Sequence, residues 1–489
     1  MSLKQKGAAA SKWTSLSTIV VTLIQFGQLA ILSRLLQPSD YGLMGMITVV
    51  VGFAQIYSDV GISNAIIYRQ HISKQQLSSL YYLNVLSGVF VFILVIGISP
   101  LIAMFYNEPR LLIPLCVISL MFVIIPIGQQ YQVLSQKELR FNQLAKFDML
   151  SYTLGLIVAI TSAWLNAGVM SLVLGQLTTS TVKTVCLVLV GMRLWRPGFH
   201  FKFHEVREFI AFGAYQMGEK TIHFFSTNVD YIIIGKFFGA QVLGYYTFAY
   251  QIATIPVMKI NPMVTQVSLP IFARIQNEKK RLREGYLTII RYLNMINYPL
   301  YVGLIVTAPL LIPLVFGDKW QGGILFLQIL SGMGLIRSTI QPNTSLLISI
   351  GRADLSFKWT ILSMSILLPS IAVGAYLNEA TGIALGYVVA QFILTYFNYR
   401  MLKRVLSVNW LEYGWALVQP LLYCSGVAAY AWLIHWISDD TSYLNLGLTI
   451  GGAVVIYVVL TWLFNKRLVR ELLQLVFKRQ QLATAKLSS

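Results

Sequence analysis

The amino-acid sequence predicts an all-α integral membrane protein of about fourteen transmembrane helices. Three observations carry that expectation. The 489-residue chain is 56% hydrophobic and only 11% charged, less than half the charged share of an ordinary soluble protein. Apolar stretches of about twenty residues, the length that crosses a bilayer core, recur along it between short polar turns. Its Lys and Arg residues gather in alternate turns, as the positive-inside rule requires.

The first predicted span, 13–35, follows Lys4, Lys6 and Lys12 and lacks a small-residue cleavage site, so it reads as a retained helix and not as a removed signal peptide. The next five are 41–63, 78–104, 111–133, 147–166 and 168–191. A basic connection over about 192–208 leads to 209–234 and 241–266, and a second, over about 267–285, leads to 286–315, 322–348, 356–377 and 381–402. Two more, 415–437 and 444–464, precede a basic tail with Lys466, Arg467, Arg470, Lys478 and Arg479. That tail reads equally as an amphipathic helix on the anionic inner leaflet or as a solvated extension.

With both termini cytoplasmic, about 29 of the 37 Lys and Arg residues fall on the cytoplasmic side and about four (Arg34, Arg110, Lys236 and Lys319) outside. Arg34-Leu35-Leu36-Gln37-Pro38-Ser39-Asp40-Tyr41-Gly42-Leu43 aligns with Lys236-Phe237-Phe238-Gly239-Ala240-Gln241-Val242-Leu243-Gly244-Tyr245 at an offset of about 202. Both segments have the same orientation. The expected organisation is therefore a parallel repeat around a central cavity: an N-terminal six-helix lobe at 1–200, a second at 201–405, two additional helices within 406–465 and a cytoplasmic tail at 466–489.

Charge at bilayer depth is costly, so ionisable residues inside spans are the informative ones. Four cations, Lys183, Lys220, Lys259 and Arg337, fall inside predicted spans between midplane and inner leaflet, and are candidates to line an electropositive, substrate-binding cavity. Lys183 and Lys259 are close enough to a helix end to snorkel instead. Glu219, His223, Ser226 and Asp230 share one face of the seventh span, where Glu219, His223 and Asp230 are candidates for ion coupling. Glu219 has a second reading, as a packing salt bridge to Lys259. His223 has one as a hydrogen-bonded packing group. Arg34, closing the first helix, and Asp59, before Gly61, read as structural or gating residues.

Other classes are disfavoured. The net charge of +19 is spread between hydrophobic runs, so no nucleic-acid surface is expected. Cys116, Cys186 and Cys424 lie in apolar stretches without CxxC or clustered His, so no metal, cofactor or structural disulfide is expected. There is no GxSxG, Walker loop or HExxH, and no connection holds a soluble catalytic domain, so the chain does not read as an enzyme.

The motifs then point to a family. Leu35-Leu36-Gln37-Pro38-Ser39-Asp40-Tyr41-Gly42, Asp59-Val60-Gly61, Gly239-Ala240-Gln241-Val242-Leu243-Gly244-Tyr245-Tyr246, Pro270-Ile271-Phe272-Ala273-Arg274-Ile275, Arg281-Leu282-Arg283-Glu284-Gly285-Tyr286, Phe316-Gly317-Asp318-Lys319-Trp320 and Gly351-Arg352-Ala353-Asp354 occur in order. Together they resemble the bacterial polysaccharide exporters, or lipid-linked oligosaccharide flippases, of the multidrug/oligosaccharidyl-lipid/polysaccharide superfamily, of the colanic acid exporter type. The resemblance implies two six-helix lobes around a cavity opening alternately to each side of the bacterial inner membrane. It implies as cargo an anionic oligosaccharide repeat unit on undecaprenyl pyrophosphate, and as partners the membrane lipids, a polysaccharide polymerase and glycosyltransferases. The four cation positions come from this sequence's own topology and not from the resemblance. Two alternatives remain: a cation-coupled small-molecule or drug exporter of the same superfamily, and a membrane-embedded polymerase or glycosyltransferase.

Overall fold

The structure is a computed structural model that describes residues 3–59, 66, 72–193, 195–437 and 442–464. Gly61 and the basic tail at 466–489 lie outside the described residues. No strand occurs among those described. The helices are α1 (Leu3–Leu35), α2 (Pro38–Ser58), α3 (Lys74–Tyr106), α4 (Leu112–Ser119), α5 (Met121–Lys137), α6 (Phe141–Trp164), α7 (Val169–Gly191), α8 (Phe203–Arg274), α9 (Lys279–Leu311), α10 (Ile324–Ile340), α11 (Pro342–Ser349), α12 (Ala353–Leu406), α13 (Trp410–Ile437) and α14 (Tyr443–Phe464).

Twelve helical segments among the described residues are long and apolar enough to cross a membrane. Two are far too long for one crossing. Helix α8 runs for 72 residues and α12 for 54, when about twenty residues span the hydrocarbon core. Each is broken inside. In α8 the break is Gly239, whose φ of 81° is open to glycine and closed to most side chains. In α12 it is Asn378 and Glu379, the latter at φ 48°. The spans predicted at 209–234 and 241–266 lie on either side of the first break, and those at 356–377 and 381–402 on either side of the second.

Local chemistry sets the other boundaries. Pro38 occupies the first turn of α2, and the Gln37 backbone N–H donates to Asp40 Oδ2 at 2.9 Å. Ser73 and Gln76 form the reciprocal capping box that opens α3, with the Gln76 N–H donating to Ser73 Oγ at 3.1 Å. Asn107, in the left-handed region, closes α3.

The chain folds as two compact units, residues 1–248 and 249–489. In the first, α6 packs along α7 and α1, and α5 packs against α7 and α3. In the second, α9 is central, touching α10, α13 and α14, while α12 packs against α10. A core of Phe272, Tyr286, Ile290, Leu346, Leu402 and Tyr413 fills one end of this unit. The solvent-type pattern is inverted elsewhere: Leu86, Phe90, Ile93, Leu101 and Met104 on α3 are 57–71% exposed. An apolar helix face of that extent belongs against acyl chains.

Close helix approach rests on small residues, as membrane helix packing does. Gly155 and Gly175 bring α6 onto α7: a Cβ on Gly155 would overlap Thr179 Oγ1 and lie 2.8 Å from the Gly175 carbonyl oxygen. Gly374 and Gly382 do the same for the two legs of α12, where a Cβ on either would overlap the other's carbonyl oxygen.

Candidate transport site

The predicted site residues divide between the two units, and each unit carries its own polar surface. In the first, the leg of α8 before Gly239 presents Glu219, Lys220 and His223 as exposed side chains. Their spacing puts Glu219 and His223 one turn apart on one face, with Lys220 beside them. Tyr57 on α2 reaches this leg, its hydroxyl 3.1 Å from Thr221 Oγ1. Phe53 packs its ring 5.4 Å from that of Phe225 and 5.9 Å from that of Phe224. An aromatic ledge therefore borders the charged trio.

The stripe changes character along the leg. Ser226 is buried and bonds back to the Ile222 carbonyl. Asp230 is fully buried, accepting from the Tyr246 hydroxyl at 2.6 Å and from the Tyr231 N–H at 2.9 Å. Tyr246 comes from the far side of the Gly239 break, so Asp230 ties the two legs of α8 together.

Lys183, on α7, makes an ion pair with Asp148 of α6 at 2.8 Å, both side chains being about 30% exposed. Sequence reasoning missed Asp148. It sits at the start of a predicted span, where an acid is ordinary, and its partner on the neighbouring helix is visible only in three dimensions. Asp59, at the end of α2, accepts from Gln129 Nε2 at 2.7 Å and so fastens that end to α5. Arg34 is exposed in the last turn of α1, where a cation complements the helix dipole.

In the second unit Arg337 on α10 is half-buried and donates to the Tyr250 hydroxyl at 3.5 Å. It lines a small void with Thr254, Val257, Met258, Tyr301 and Met333. Lys259, half-buried, lies farther along the leg of α8 that carries Tyr250.

This unit also holds a neutral polar network that the sequence reading missed. Asn297 Nδ2 donates to Asn261 Oδ1 at 2.8 Å, and Asn261 Nδ2 donates to Gln341 Oε1 at 2.6 Å and to the Ser338 carbonyl at 3.2 Å. Thr339 donates to Asn294 Oδ1 at 2.9 Å, and Asn294 Nδ2 to the Ala416 carbonyl at 3.2 Å. Asn261, Asn294 and Asn297 are fully buried. The available signal was Asn294 and Asn297 three residues apart in an apolar run, on one helical face.

A multi-span helical membrane protein built of broken and glycine-packed helices, with charge and aromatic surface inside its spans, belongs to the class of membrane transporters. Its fold matches that of the lipid II flippase MurJ in an inward closed conformation, with a TM-score of 0.76 over 94% of this chain and all of that one, at 14% identity. The chain belongs to the polysaccharide biosynthesis protein family, whose pattern it matches over residues 31–325. It is 35% identical to the lipopolysaccharide biosynthesis protein WzxC of Escherichia coli K12 over 86% of each chain. It is 34% identical to the teichuronic acid biosynthesis protein TuaB of Bacillus subtilis 168, over 94% of this chain and 96% of that one. The family resemblance read from the sequence motifs agrees with these matches.

Proposed function

We propose that this protein is a flippase that moves an oligosaccharide repeat unit on undecaprenyl pyrophosphate from the cytoplasmic to the external leaflet of the bacterial inner membrane by alternating access. The observation that carries the reading is near full-length similarity to proteins of cell-surface polysaccharide synthesis, at 35% and 34% identity. In this reading the segments 1–200 and 201–405 are the moving lobes, both termini are cytoplasmic, and the helices within 406–465 are accessory. A polymerase and glycosyltransferases supply and consume the cargo.

Lys220 and Arg337 contact the pyrophosphate, Arg337 by the planar, charge-assisted hydrogen bonds that guanidinium makes to phosphate oxygens. Their support is depth: a cation well inside a span is stable only beside protein or water. Lys259 adds to the same field. Lys183 contributes less, because Asp148 already meets its charge at 2.8 Å. Glu219 and His223, exposed and one turn apart, are the coupling pair for an ion gradient. Asp230, held by Tyr246, is the structural member of the stripe.

The test is polysaccharide export in cells lacking their own exporter. The wild-type chain restores export, and Lys220→Ala and Arg337→Ala lower it at least tenfold at equal membrane abundance. Full export by both variants would overturn the cavity assignment, and transport of an organic cation by purified protein in liposomes would overturn the substrate class.

A further inference from the structure

A cavity in the second unit lies apart from the residues discussed above. It has a volume of about 680 Å³ between the start of α9, the segment joining α11 to α12, and both ends of α12. Five cations line it: Lys279, Arg352, Lys358, Arg400 and Arg404. Its wall is apolar and partly aromatic, with Leu355, Trp359, Leu362, Phe397 and Met401. Among the described residues no carboxylate lines it. Arg352 pairs with Asp354 at 2.9 Å, and Lys358 lies one turn along from the same carboxylate. Lys279, Arg400 and Arg404 have no hydrogen bond or ion pair among the described residues. Glu278, next to Lys279 in sequence, pairs with Arg281 at 2.9 Å.

We propose that this pocket binds the headgroup of an anionic glycerophospholipid of the cytoplasmic leaflet. The inference rests on the orientation given under Proposed function, which places all five cations on the inner side. Cations on the rim and an apolar wall beneath match a lipid whose phosphate sits at the interface and whose first acyl carbons lie deeper. A volume of about 680 Å³ suits a headgroup with its glycerol. Trp359 and Phe397 stand where interfacial aromatics belong. Membrane anionic lipid is abundant, and mass action fills such a site with it ahead of a scarce carrier lipid.

The experiment uses the purified full-length chain in nanodiscs of phosphatidylcholine with a trace of brominated phosphatidylglycerol, which quenches nearby tryptophan. The pocket signal is the quenching that disappears in Trp359→Phe. Brominated phosphatidylglycerol is expected to quench well beyond brominated phosphatidylcholine, and selectivity is expected to fall about fivefold for each cation removed in Arg400→Gln and Arg404→Gln. Lys358→Gln, a change on the exposed side of α12, carries the same test if the other variants do not fold. Equal quenching by the two lipids, or undiminished selectivity in the variants, overturns the proposal. So does displacement of the lipid by micromolar inorganic pyrophosphate, which would make the pocket a docking site for the carrier. A chain that exports polysaccharide without lipid selectivity sinks the pocket alone, and a selective chain that fails to export sinks the flippase reading alone.

Discussion

The contact most exposed to a single substitution is the crossing of α2 with the second leg of α8. A Cβ added to Gly42 would overlap the carbonyl oxygen of Ala240 and lie 2.6 Å from its carbonyl carbon. One added to Gly244 would overlap the carbonyl oxygen of Pro38 and likewise lie 2.6 Å from its carbonyl carbon. Backbone atoms cannot rotate aside, so either alanine must push the helices apart. Overpacking of this kind costs about 1–3 kcal/mol, and a clash with backbone belongs at the upper end. Alanine returns up to about 1 kcal/mol of helix propensity, leaving each variant destabilised by about 2 kcal/mol. Once one alanine has separated the helices the second meets less resistance, so the double variant should fall short of the sum by about 1 kcal/mol or more. Gly27 supplies the control, since a Cβ there meets nothing within 4 Å. Thermal unfolding in detergent reads the series: Gly27→Ala at or above the wild type, Gly42→Ala and Gly244→Ala below it, and the double variant only slightly lower again. A wild-type midpoint for Gly42→Ala, or strict additivity in the double variant, would refute the close crossing.

Two other contacts give separate outcomes. Tyr246→Phe removes the 2.6 Å hydrogen bond to buried Asp230 and should cost about 1.5–3 kcal/mol in the same unfolding assay, falling to about 0.5–1.5 kcal/mol in an Asp230→Asn background, where the hydroxyl keeps only a neutral partner. Asn297→Ala leaves Asn261 Oδ1 without its donor and should cost about 1–3 kcal/mol, whereas Asn297→Asp, which exchanges the donor for an acceptor, should be worse; equal unfolding midpoints for the two variants would argue against the network.

The helical membrane class was legible because hydropathy and charge position are properties of sequence alone. What was not legible follows from what sequence omits. The turn expected between spans at 235–240 is a single residue, Gly239, because one φ of 81° is enough to redirect a helix. Asp148 looked interfacial until α7 brought Lys183 to it at 2.8 Å. Asn261, Asn294 and Asn297 carry no charge, so a search for ionisable residues passes over them. In space their hydrogen bonds join legs of the chain that lie 36 to 122 residues apart in sequence. Glu219, Lys220 and His223, by contrast, were found because each raises the insertion cost of its own span, and exposure on the helix surface is where the structure places them.

The offset seen in the sequence reappears as a pattern of contacts, and the two observations are independent. Gly42 lies against Ala240, and Gly244 lies against Pro38. At an offset of about 202 Ala240 is the counterpart of Pro38, and Gly244 that of Gly42. Residue and partner therefore exchange roles across the crossing, the arrangement that a two-fold relation produces: i meets j, and the counterpart of j meets the counterpart of i. A residue near such an axis must meet its own counterpart. Gly45 does, since a Cβ there would lie 2.7 Å from Thr247 Oγ1. Shared membrane-edge composition explains similar residues at two helix starts. It does not explain why those helices touch through matching positions, which is what a duplicated pair of helices packed on a local two-fold axis would do.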